Sequence, residues 1–217
     1  MIRIAGEQDV PQILAIYAPY ILTTTATFEY DVPTEEEFLQ RFQSITARFP
    51  WLVWEEDGAI LGYAYGSAPF ERAAYAWCSE ASVYLAPQAR GRGIGRQLYR
   101  ALEAILKYQG FQVVYAIITS ENAPSVAFHS KMGYKTIGFF ENSGYKFSRW
   151  LGIYWMEKRL NPVENVSNPP QSWRSIRQNG QKFSDILDIL SLSYLTKICY
   201  VMRGEKCALY RIPPPCF

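Results

Sequence analysis

The chain reads as an α/β (α+β) domain, with strands and helices sharing one core. Three observations predict this. A strand, a glycine-rich turn and a helix follow one another: the alternating run Ala81–Leu85, then Gln88–Arg96, then the amphipathic run Gln97–Leu106. Gln112–Thr119 is nearly all apolar, the pattern of a strand buried on both faces. Asp57-Gly58 separates the apolar runs Trp51–Glu56 and Ala59–Tyr65, which is a favoured two-residue hairpin turn. At 217 residues, 49% of them apolar, the chain is long enough for one well-buried domain with something left over.

Each element has its own signal. Ile2–Ala5 is a short strand. Asp9-Val10-Pro11-Gln12 resembles a capping box opening a helix, with Ile13, Leu14, Ile16 and Tyr17 at helical spacing and an end near Pro19. Thr34–Glu37 is a second capping box, before Phe38, Leu39, Phe42 and Ile45. Between the two helices, Thr23–Glu29 shows no helical period, and this loop is a natural substrate wall. The hairpin follows, then a strand over Tyr75–Leu85 that Pro87 ends. The long helix runs from about Gly93 to Gln109, where Gly110 stops it. Asn122 is a good N-cap, with Pro124 in the first turn of a helix ending at Lys131-Met132-Gly133. Two strands follow, about Tyr134–Phe140 and Trp150–Arg159.

After Leu160 the character changes. Asn161–Pro170 has the composition of a linker. The division expected is a domain over 1–160 and a weakly ordered extension over 161–217, with one short helix within Phe183–Tyr194.

Bulk numbers exclude several functions. Net charge is +2, which gives no general argument for nucleic acid or membrane. Cys78, Cys199, Cys207 and Cys216 form no C-x-x-C pair, and His129 is the single histidine. That set supplies neither a structural zinc site nor a disulfide framework. No apolar run reaches the length of a membrane span, and Met1–Glu7 lacks a signal-peptide core. A cytoplasmic location with no metal is expected.

The turn carries the chemistry. Arg90-Gly91-Arg92-Gly93-Ile94-Gly95-Arg96 alternates glycines with three arginines. Glycines let backbone N–H groups approach a ligand, and the helix N-terminus adds partial positive charge. A pyrophosphate suits this geometry. The turn follows several strands rather than the first, which departs from the dinucleotide fingerprint, and a Walker Gly-Lys-Ser/Thr is absent.

The pattern Arg90-Gly91-Arg92-Gly93-Ile94-Gly95 resembles the acyl-CoA site of the GCN5-related N-acetyltransferases (GNAT), and the order of elements agrees. Ala74–Trp77, Glu80–Leu85, Asn122–His129, Met132-Gly133-Tyr134 and Gly144–Trp150 together resemble the phosphinothricin N-acetyltransferase subgroup, which acetylates phosphinothricin, methionine sulfoximine and related analogues. The resemblance covers about residues 1–160. It implies a mixed, mostly antiparallel sheet flanked by helices, with a splayed central strand pair holding acetyl-CoA. The activity implied is acetyl transfer to the α-amine of a small amino acid or analogue by direct attack, in a homodimer.

An amino-acid α-amine is mostly protonated at pH 7, so a base must act. The resemblance makes Glu80 that base. It assigns the cofactor to the backbone of Val83, Tyr84 and Leu85, with an N–H near Leu85 on the thioester oxygen. It assigns the phosphates to Arg90, Gly91, Arg92, Gly93, Ile94, Gly95 and Arg96, and adds Asn122 and Ser125. Phe28, Glu29, Tyr75 and Trp77 match positions facing the acceptor, and Arg72 or Lys146 is the cation expected to hold its carboxylate. His129 stands where many superfamily members carry a thiolate-protonating tyrosine; a structural histidine is the other reading. Phe147 replaces a histidine of some phosphinothricin-specific enzymes, leaving room for an apolar or sulfur-containing side chain. Two other functions stay open: acetylation of a protein N-terminus or an antibiotic, and a CoA-binding module without turnover.

Overall fold

The computed structural model describes residues 1–161, 168–180, 185–186 and 190. One seven-stranded sheet organises them, in the order β1-β2-β3-β4-β5-β7-β6. The strands are β1 Ile2–Ile4, β2 Trp51–Glu56, β3 Ala59–Ser67, β4 Cys78–Leu85, β5 Val113–Thr119, β6 Lys135–Lys146 and β7 Arg149–Arg159. The helices are α1 Val10–Thr23, α2 Glu35–Thr46, α3 Ile94–Gln109, α4 Ala123–Lys131 and α5 Trp173–Gln178. Every strand pair is antiparallel except β4 with β5.

The sheet separates two apolar clusters. One contains Ile13, Tyr17 and Ile21 of α1, Phe38 and Phe42 of α2, and Trp51, Val53 and Tyr63 from the strands. The other contains Leu98, Tyr99, Leu102, Ile105 and Leu106 of α3 with Leu52, Ala64, Ala81, Val114, Ala116 and Ile118. Alternation along each strand sends successive side chains to opposite clusters.

Local signals formed most of these elements. Thr34 caps α2: its hydroxyl accepts from the Glu37 N–H, and the Glu37 carboxylate takes the Thr34 N–H. Asp57 and Gly58 sit at φ 51° and 79°, the left-handed pair of a type I′ turn. Gly110 ends α3 at φ 100°. The Asp9 box formed differently. Its carboxylate does not cap α1: it accepts from the Gly6 N–H at 2.8 Å and is gripped by Arg3 with two bonds of 2.6 and 2.9 Å. Gln12 reaches instead to the Ile60 N–H. Nor does Pro19 end α1, which runs on to Thr23. The Thr23 and Thr24 hydroxyls cover the carbonyls of Pro19 and Tyr20 at 2.7 Å.

Residues beyond 161 hold a packed element. Trp173 and Ile176 are fully buried in the α3-side cluster, with Ile186 and Leu190. The Trp173 and Arg174 N–H groups donate to the carbonyls of Arg48 and Ala47, and Gln109 and Gln171 bond reciprocally. Of the helix expected within Phe183–Tyr194, only Asp185, Ile186 and Leu190 lie among the described residues.

Candidate active site

The site is built on β4, which changes partners along its length. On one side β3 pairs with it throughout, from Ser67 opposite Glu80 to Gly62 opposite Leu85. On the other side β5 pairs only from Cys78 opposite Val113 to Glu80 opposite Tyr115. Beyond Glu80 the two parallel strands part.

Ladder alternation shows which backbone groups face the gap. The Ala86 N–H donates to the Leu61 carbonyl of β3. The Leu85 N–H and carbonyl therefore point away from β3, and both meet the Tyr20 hydroxyl, at 3.3 and 2.7 Å. The Ala81 carbonyl, also turned from β3, takes the Tyr99 hydroxyl at 2.8 Å. By the same alternation Val83 presents its N–H and carbonyl to the gap, and no bond fills them among the described residues. Tyr20 already engages the Leu85 N–H, so the Val83 N–H is the gap-facing donor left open among the described residues. The Tyr84 backbone pairs with Tyr63 of β3, and its ring packs edge-on against Tyr17 and Tyr20.

Glu80 stands where the gap opens. Its side chain points to the α1–α2 face, opposite Ser79 and Ala81, which face α3. The carboxylate has no hydrogen-bond partner among the described residues, and desolvation pushes its pKa up to about 7. A carboxyl poised there can take a proton from an ammonium near neutral pH.

At the end of β4 the turn is open. Gly91 and Gly93 adopt φ 74° and 75°, and a Cβ at either would meet nothing within 4 Å. Gly95 differs: a Cβ there would lie 3.3 Å from Leu85 Cδ1, so this glycine seats α3 against β4. The first N–H groups of α3 lack helical acceptors, and a helix N-terminus opened by a left-handed glycine suits an anion. The arginines divide. Arg96 is exposed, Arg90 lies over the Tyr20 ring, and Arg92 is paired with Glu56 at 2.7 Å.

Asn122 caps α4 by accepting the Ser125 N–H at 3.2 Å. Ser125 Oγ lies 3.3 Å from His129 Nδ1. His129 is buried, with Nε2 2.8 Å from the Tyr99 hydroxyl and Nδ1 2.8 Å from the Ser125 carbonyl. Burial lowers its pKa, against the raising effect of the Ser125 bond.

On the acceptor side the expected residues separate. Phe28 lies against Gly144, where a Cβ would come within 2.3 Å of its ring. Glu29 holds Arg41 through both oxygens and accepts from Tyr17, so its role is to brace the α1–α2 loop. Arg72 is exposed, and Tyr75 packs on Phe70. Trp77 and Lys146 are engaged within the fold. The Trp77 indole N–H donates to the Asn168 carbonyl, because an odd-numbered position turns it away from Glu80. Lys146 gives its three protons to the carbonyls of Ile21, Thr24 and Thr27 at 2.8–2.9 Å, leaving none for a substrate carboxylate. An aromatic group unforeseen in the sequence lies on the Glu80 face instead. Tyr115 is beside Glu80 on β5, and Phe70 stacks on Trp155 at 5.6 Å and meets Tyr115 edge-on. Only strand register brings these rings together.

The model of an acetyltransferase (GNAT) domain matches residues 2–155. A phosphinothricin N-acetyltransferase of Alcaligenes faecalis is 37% identical over 164 residues, spanning 74% of this chain and 82% of that protein. An L-methionine sulfoximine/L-methionine sulfone acetyltransferase of Pseudomonas aeruginosa is 38% identical over 170 residues, 76% of this chain and 97% of that one. Among solved structures, a GNAT superfamily phosphinothricin acetyltransferase from Sinorhizobium meliloti, in complex with AcCoA, superposes with a TM-score of 0.73 at 36% identity. It covers 80% of this chain and 98% of its own.

Proposed function

The chain belongs to the GNAT acetyltransferase family, and on that premise we propose that it acetylates the α-amine of a small amino acid or analogue of the phosphinothricin or methionine sulfoximine type. The observation that carries this reading is the parting of β4 from β5 beside an unpartnered, desolvated carboxyl. The residues fit acetyl-CoA. Val83 offers an unpaired backbone edge, and the open glycine turn with the α3 N-terminus offers amides to a pyrophosphate. When bound, acetyl-CoA supplies an activated acyl thioester.

The protein's own groups do the rest. Glu80 takes the proton from the α-ammonium, directly or through water, and so presents a neutral nitrogen. The Val83 N–H donates to the thioester oxygen as negative charge develops there. Asn122 and Ser125 hold the entrance of α4 toward the cofactor, and the Gly91–Arg96 amides orient its phosphates. Phe28, Phe70, Tyr75, Tyr115 and Trp155 border the acceptor, and Arg72 is the remaining exposed cation for its carboxylate. An aromatic border favours an apolar or sulfur-bearing side chain.

Thiol release from acetyl-CoA across methionine sulfoximine, methionine sulfone, phosphinothricin and the common amino acids tests the reading. Turnover is expected with at least one analogue. Binding of acetyl-CoA without turnover on any amine would replace the enzyme by a binding module. We also infer a cytoplasmic homodimer. No described helix is long and apolar enough to cross a membrane. The edge strand β6 exposes Phe139 on one face of the sheet and Phe140 on the other, apolar surface at an edge suited to a second copy; sedimentation would measure the association.

A further inference from the structure

Where β4 leaves β5, a helix side chain takes over from the missing strand. The Val113 N–H bonds the Trp77 carbonyl at the start of the pairing. Continuing that offset would give the Ala81 carbonyl to the N–H of Ile117. The pairing stops at Glu80 and Tyr115 instead, and the Ala81 carbonyl accepts from the Tyr99 hydroxyl of α3. Tyr99 is fully buried. Its ring is boxed by Phe128, His129 and Tyr134, all within 6.0 Å between ring centres. Its hydroxyl oxygen is fixed by His129 Nε2, and His129 in turn by the Ser125 carbonyl.

The Ala81 carbonyl only accepts, and the single Tyr99 proton is its donor. His129 Nε2 lies 2.8 Å from the same hydroxyl oxygen, so with its ring boxed and its oxygen anchored the hydroxyl stays turned toward Ala81. A buried carbonyl left with no donor is costly, and the nearest alternative donor along the ladder is Ile117 N–H. Removing the hydroxyl thus favours re-pairing of the two strands.

We propose that Tyr99 and His129 form a clip that ends the β4–β5 ladder at Glu80 and holds open the gap beside Val83. They are positioning residues: neither is required to touch the reacting atoms. The link from the gap to catalysis rests on the acetyl-CoA reading above; the link from the clip to the gap does not.

The test separates the two. In cofactor-free protein, residue-resolved amide exchange of Ile117 is compared between wild type and Tyr99→Phe, alongside KM for acetyl-CoA and for the amine. The expected result is about tenfold slower exchange at Ile117 and about a tenfold higher acetyl-CoA KM, with the amine KM changed less than about twofold. Slower exchange with an unchanged acetyl-CoA KM keeps the clip and overturns the cofactor's place in the gap. Unchanged exchange at Ile117 overturns the clip. Should Tyr99→Phe fail to fold, His129→Leu gives the same readouts, and His129→Gln, which retains a polar partner for Tyr99, restores them. Wild-type exchange and KM in His129→Leu would also overturn the clip.

Discussion

The two halves of the sheet are finished to different degrees. From β1 to β4 both faces are covered, by α1 and α2 on one side and α3 on the other, and Leu52, Val53 and Ala64 are wholly buried. From β5 through β7 to β6 the α3-side face holds Val114, Ala116 and Met156 in the core. The Glu80-side face carries Tyr115, Trp155 and Phe140, with Phe70 against Tyr115 and Trp155. The gap lies at the seam between these halves. The difference suggests a division of labour under the proposed reading: close packing fixes the half assigned to the cofactor, and the half assigned to the acceptor is left to be completed by what binds there.

The seam gives the largest expected effect. Glu80→Gln should lower kcat/KM by about 10²- to 10⁴-fold in a thiol-release assay, with the fold intact; undiminished turnover would remove Glu80 as base. Its sign with pH is set by its raised pKa. The base is the ionised form, so kcat/KM rises with pH through an inflection near 7, and the residual activity of Glu80→Gln should lack that inflection.

Next comes the covered half. Trp51 is buried between Phe38, Phe42 and Tyr65, and Trp51→Ala should cost about 3–5 kcal/mol in denaturant unfolding. Thr34→Ala removes one cap on the same side and should cost about 1 kcal/mol, read as a lower melting temperature with acetyl-CoA KM unchanged. The uncovered half should respond least: Phe140→Ser is expected to move monomer stability by less than about 0.5 kcal/mol, while weakening self-association in sedimentation. A loss at Phe140 equal to that at Trp51 would erase the contrast between the halves.

Elements governed by neighbours in sequence were legible in the sequence. The Thr34 cap, the Asp57-Gly58 turn, the glycine stop at Gly110 and the glycine turn ahead of α3 all depend on a few adjacent residues. Relations between distant segments were not. Asp9 looked like a cap until Arg3 claimed it across the β1 turn. Lys146 looked like a free cation until three carbonyls, one from the last turn of α1 and two from the loop after it, enclosed it, more than a hundred residues away. Trp77 was displaced by one step of strand alternation. The gap itself is a property of two strands, visible only once the register between β4 and β5 is known.

The carboxyl at the seam also sets a trade between endurance and activity. Its pKa is raised above the unfolded value, so the folded chain prefers it protonated. The contribution of Glu80 to folding stability is then fully present below the usual carboxylate range and is lost as pH climbs from there through about 7. At pH 8, where the base is ready to work, the ionised group weakens the fold that holds it. Glu80→Gln, impaired as a catalyst, should therefore melt later than the wild type at pH 8 and lose that advantage at pH 5.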